Sequence, residues 1–88
     1  MEEIILERIN GPGWVATRGV VRDPRTASSA EIGEAEQAMK ALAERGLVTL
    51  WRLILEHDGS QMMAASKPGM ELDKILSERG AWARAEPY

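Results

Sequence analysis

Apolar residues recur at helical spacing near the start of the chain. Ile5, Leu6 and Ile9 share one side, while Glu2, Glu3, Glu7 and Arg8 take other faces, which predicts an amphipathic helix over residues 2–9. Asn10-Gly11-Pro12-Gly13 ends it, because glycine permits positive φ and proline offers no amide to continue the ladder. From Trp14 to Arg22 the β-branched Val15, Thr17, Val20 and Val21 predict a brief strand followed by a short helix. Asp23-Pro24-Arg25 reads as a turn, and Ser28 followed by Glu31 has the spacing of a capping box.

The strongest pattern lies over residues 29–45, where Ile32, Ala35, Met39, Leu42 and Ala43 fall on one stripe of a long helix that Gly46 stops. Residues 47–57 then hold Val48, Leu50, Trp51, Leu53, Ile54 and Leu55, a strand-forming run without Gly or Pro. Asp58-Gly59 predicts a two-residue hairpin turn with His57 opposite Ser60, setting Leu55 against Met62, Ile54 against Met63 and Leu53 against Ala64. The return strand runs to about Ser66. Both faces of this hairpin are apolar, so a second cover is expected for the face that one helix layer leaves open. Lys67-Pro68-Gly69 breaks the strand, and Leu72, Ile75 and Leu76 predict a last helix over residues 70–79 before Gly80. The expected organisation is one domain over residues 1–80 and a tail over 81–88, with Trp82 and Tyr88 as anchors on the body or on a partner.

A chain of 88 residues makes one thin core, and 44% hydrophobic with 28% charged residues is an ordinary globular composition. Without cysteine, neither a disulfide nor a thiolate metal site reinforces that core. His57 is the single histidine and reads as a hairpin residue, while Glu31, Glu34 and Glu36 on one helix make a poor cation cage. No catalytic constellation, metal site or cofactor motif is recognised, and an enzyme is not expected. The acidic start Met1-Glu2-Glu3 differs from a signal peptide and no apolar run approaches a membrane span, so a cytoplasmic protein with no membrane partner is expected.

Taken in order, helix, short strand, short helix, long helix, hairpin and helix form the α+β series of a winged helix: a three-helix core with a β-hairpin wing and a C-terminal helix. Two stretches carry a closer likeness. Ala38-Met39-Lys40-Ala41-Leu42-Ala43-Glu44-Arg45-Gly46-Leu47-Val48 resembles the end of the recognition helix running into the first wing strand of the multiple-antibiotic-resistance and PadR-like repressors. Ala65-Ser66-Lys67-Pro68-Gly69-Met70-Glu71-Leu72 resembles the stretch that closes the wing and opens the next helix in those proteins. Residues 13–24 depart from the family in lacking its alanine- and leucine-rich second helix.

The resemblance implies a regulator of transcription or a mobile-element factor that binds double-stranded DNA, with the long helix in the major groove. The preference for Ala, Arg and Gly points to a bacterial or phage source, and the second apolar hairpin face with the thin core points to a homodimer. Gln37 and Lys40 on that helix, Arg18, Arg22 and Arg25 before it, Arg52 in the wing and Lys67 at its base are the candidate DNA contacts; the arginines fork onto phosphates and Gln37 pairs with adenine. Ile54, Met63 and Trp82 are the candidate partner interface. Charge argues the other way: the chain has net charge −3 and pI near 5.1, and residues 29–45 set four acids against Lys40 and Arg45. A winged-helix module that docks a protein partner through this acidic helix is the alternative reading.

Overall fold

The structure is a computed structural model, and it describes residues 1–20, 28–80 and 83–88. Helix α1 (Glu2–Asn10) buries Ile5 and Ile9, one turn apart, but not Leu6, which the spacing grouped with them and which is exposed. The chain then reverses at Gly13, whose φ of +98° is open to glycine and strained for other residues. The Gly13 carbonyl accepts from the Lys67 N–H at 2.9 Å, and a Cβ added at Gly13 would run into the Met70 side chain. Strand β1 (Trp14–Ala16) and a single 3-10 turn (Thr17–Gly19) follow. Thr17 is 1% exposed, and its hydroxyl donates to the Met63 carbonyl at 2.6 Å, tying the turn to the sheet. The expected short helix is this turn as far as the described residues go.

Helix α2 (Ser29–Glu44) begins where the capping signal places it, with the Glu31 N–H donating to Ser28 Oγ at 3.2 Å. Ala35, Met39 and Leu42 form its buried stripe, and Ile32 and Ala43 are half-buried beside it. The helix closes on paired bonds from Gly46 N–H to Ala43 C=O (3.0 Å) and from Leu47 N–H to Leu42 C=O (3.0 Å), which satisfy carbonyls that have no partner further along the helix.

Strands β2 (Thr49–Leu55) and β3 (Gln61–Ser66) make the hairpin, but two residues away from the expected register. Ile54 faces Gln61, Leu53 faces Met62 and Trp51 faces Ala64. The reason lies in the loop, which spans residues 56–59 in place of a two-residue turn. Asp58 Oδ1 accepts from the Ser60 N–H at 2.8 Å, and the Gly59 N–H donates to the Leu55 carbonyl at 2.8 Å. Gly59, at φ +72°, turns the chain back, and Leu55 N–H donates to Ser60 C=O at 2.9 Å as the closing pair. A shift of two leaves every side chain on its expected face, since the pleat alternates with period two.

Helix α3 (Leu72–Glu78) buries Leu72 and Leu76. The segment expected as a tail is instead structural: β4 (Ala83–Pro87) lies antiparallel on β2, with Leu53 opposite Ala85 and Leu55 opposite Ala83. The antiparallel sheet has the order β1-β3-β2-β4. Among the described residues the fold is α+β, with three α-helices and this four-stranded sheet.

Alternation in the sheet builds two cores. Val15, Met63 and Ala65 point to the side of α1 and α2, where they meet Ile5, Ile9, Ala35, Met39 and Leu42. Trp51, Leu53, Ala64 and Ala85 point to the other side and meet Leu72 and Leu76 of α3, with Trp14, Ala16 and Met62 against them. The second cover that the apolar hairpin called for is thus supplied by the chain's own α3. Among the described residues no helix is long and apolar enough to cross a membrane.

Candidate functional site

The side chains with chemistry to offer divide between the two faces of the sheet. On the α2 face, β4 runs on until the Tyr88 N–H donates to the Leu50 carbonyl at 3.4 Å, and this pairing brings Tyr88 beside the outer half of β2. Its ring, 55% exposed, is approached by two cations: Lys40 Nζ of α2 is 5.9 Å and Arg52 Cζ of β2 is 5.8 Å from the ring centroid. Both distances are within reach of cation–π attraction, worth about 0.5–1 kcal/mol at an exposed site. The ring therefore holds two positive groups, from two separate elements, on one patch.

Gln37 is exposed one turn before Lys40 on α2. Arg84 is exposed on β4, opposite Ile54, and its guanidinium lies 3.8 Å from Glu86. Glu31, Glu34 and Glu44 are exposed along α2, so acid lies on the same helix as the patch. Arg45 at the end of α2 is paired with Glu2 at 3.4 Å, with both side chains exposed.

On the opposite face, α3 and the sheet enclose a groove of about 390 Å³ lined by Trp14, Ala16, Leu53, Leu55, Met62, Leu76 and Ala83 with two arginines, Arg18 and Arg79. The indole N–H of Trp14 is buried there without an acceptor among the described residues. At the nearby hairpin loop, the Asp58 carboxyl is held below the usual carboxylate range, first by the hydrogen bond from the Ser60 backbone and then by further Ser60 contact, with His57 and Arg18 adding favourable charge.

Of the seven expected DNA contacts, the structure brings Lys40 and Arg52 together and places Gln37 next to them. Arg18 is on the far face, in the groove, and Lys67 borders a second hollow with Lys74 and Glu78 along α3, so the sheet separates both from the Lys40–Arg52 patch. Arg22 and Arg25 lie outside the described residues. Of the expected partner interface, Met63 is 4% exposed in the first core and cannot be reached by a partner, because Met39 and Leu42 of α2 cover its face. Ile54 is half-buried, and Trp82 lies outside the described residues. Sequence reasoning named Tyr88 as an anchor but missed its place beside Lys40 and Arg52, and it missed the groove. The doubly apolar hairpin was the signal for the groove, whereas the place of Tyr88 depends on β4, whose composition gives no warning of a strand.

Among the described residues no three His, Cys, Asp or Glu side chains come together to hold a metal ion. No protein-family model, curated protein or solved structure matches the chain.

Proposed function

We propose that this protein is a small, non-catalytic winged-helix domain that binds double-stranded DNA through α2 and the β2–β3 hairpin. The observation that carries the reading is the convergence of Lys40 and Arg52 on Tyr88: a cation from the long helix and a cation from the hairpin on one exposed patch, with Gln37 alongside. The element order supports it too, with a hairpin directly following the long helix and β1 joining that hairpin as a third strand. Strand β4 is an addition to that arrangement.

In this reading the two cations fix the duplex by its phosphates, and Gln37 is the residue of the patch able to meet a base edge. The acids of α2 repel phosphate, with Glu31 and Glu34 before the patch and Glu44 one turn after Lys40, so contact is confined to the Gln37–Lys40 turn and affinity is modest at physiological salt. The DNA-bound form is a cytoplasmic homodimer reading two half-sites, and Ile4 and Leu6, exposed on α1, are among the apolar residues available to join two copies. Sedimentation at micromolar concentration would then give twice the 9.7 kDa chain mass.

The deciding experiment is the salt dependence of binding to a random-sequence duplex. Each neutralised phosphate contributes about 0.9 to the slope of log affinity against log salt, so changing Lys40 and Arg52 together to Ala lowers the slope by about 2. An unchanged slope, or no binding at low salt, overturns the proposal. The exposed acids Glu31, Glu34 and Glu44 favour the second reading in that event: a docking module whose α2 meets a basic protein surface.

A further inference from the structure

We propose that the groove between α3 and the sheet is a binding site for a small amphipathic carboxylate with an unbranched aliphatic body. The inference does not rest on the DNA reading, since the groove lies on the other face of the sheet.

Size comes first. The groove measures about 390 Å³. At roughly 30 Å³ per heavy atom, the share that one molecule takes in liquid water, this is room for about a dozen heavy atoms. Chemistry narrows the occupant. Leu53, Leu55, Met62 and Leu76 give aliphatic walls, and methionine adapts its shape to a flexible chain. Such walls stabilise a ligand by removing its apolar surface from water, which excludes a free phosphate or a sugar as the natural occupant.

Charge completes the assignment. The lining holds two guanidinium groups, Arg18 within the 3-10 turn and Arg79 after α3, and no acid among the described residues. The ion pairs among the described residues are Arg45–Glu2, His57–Asp58, Lys74–Glu71 and Arg84–Glu86, so no carboxylate of the described residues engages either groove arginine at contact distance. Asp58 acts on Arg18 electrostatically, but its Oδ1 is occupied by the Ser60 N–H. Arginines on the lining of an apolar slot suit a carboxylate headgroup, which a guanidinium receives as a forked, charge-assisted pair.

Decanoate, with twelve heavy atoms by its formula and about the size of the groove, is the probe. Titration into the full chain, followed by calorimetry and by the methionine methyl resonances, is expected to show saturable binding of one molecule. The Met62 methyl should shift while that of Met39, on the other side of the sheet, stays in place. Changing Arg18 and Arg79 together to Gln should weaken binding about tenfold or more, since both side chains are exposed and the fold does not depend on them. Decanol, which keeps the chain and loses the charge, should be weakened similarly. Absence of saturable binding overturns the proposal. So does equal affinity for decanol, retention of affinity by the double variant, or a shift at Met39 in place of Met62; these outcomes point to a plain apolar surface that a peptide or second protein would cover.

Discussion

Trp51 donates its indole N–H to Ser66 Oγ at 2.9 Å, and the Ser66 hydroxyl in turn donates to the Lys67 carbonyl at 3.0 Å. The bond runs diagonally across the β2–β3 pair on the α3 face, and it satisfies the polar atoms of two buried side chains in the second core. Changing Ser66 to Ala leaves the Trp51 donor buried without an acceptor. A loss of about 1–3 kcal/mol is expected, read as a lower urea midpoint with an unchanged slope.

Trp14 faces Ser66 directly across the β1–β3 pair, yet its own indole N–H is the one buried side-chain donor without an acceptor among the described residues. Phenylalanine keeps most of the ring and removes that group. Trp14→Phe should therefore leave stability within about 1 kcal/mol of the parent or raise it, in contrast to Ser66→Ala. A loss above 2 kcal/mol by denaturant titration would show that the indole has a role that the hydrogen-bond pattern does not account for.

Gly13→Ala combines two penalties: a φ of +98° that alanine tolerates poorly, and a Cβ directed at the Met70 side chain. Met70 can yield at its flexible end, so the backbone term dominates, and a destabilisation of about 1–3 kcal/mol is expected in thermal or chemical unfolding. Gly33 on α2 has open space around its added Cβ and no positive φ, so Gly33→Ala should instead stabilise by up to about 1 kcal/mol.

Asp58 sets an acid limb. Its folded-state value is lowered, so the carboxylate favours the native loop above its ordinary value of 3.8, and that contribution fades as pH falls through the lower folded value. Asp58→Ala should be less stable than the parent at neutral pH, and the two unfolding midpoints should converge on acidification below the ordinary carboxylate range. A gap that persists unchanged below that range would assign the effect to the alanine's backbone preference in place of the charge.

Local signals were legible and long-range ones less so. The stripe on α2, its Ser28 cap and its stop at Gly46 are all written within four residues of where they act. The expected pairings set Leu53, Leu55, Met62 and Ala64 on one face and Ile54 and Met63 on the other, and this division holds even though the register differed by two, because an even shift preserves parity; what failed was reading the Met63 face as open to a partner. The register itself was set by the Asp58 side chain closing a wider loop than Asp-Gly suggests. Ala83-Arg84-Ala85-Glu86-Pro87 has none of the β-branched residues that mark a strand, and it is a strand because β2 offers it an unpaired edge. Grouping Arg18 and Lys67 with Lys40 and Arg52 failed for a similar reason: nearness in charge along the chain says nothing about which side of a sheet a residue will occupy.

Strand β4 also decides what the sheet presents sideways. Without it, the seven-residue β2 would offer a row of open amides and carbonyls flanked by Leu53 and Leu55, a ready template on which another chain could grow. With it, the sheet's two borders are the three residues of β1 and a strand that carries Arg84, Glu86 and the amide-free Pro87. Five unremarkable residues thus act as a hem, and their loss would turn a self-contained domain into one prone to polymerise edge to edge.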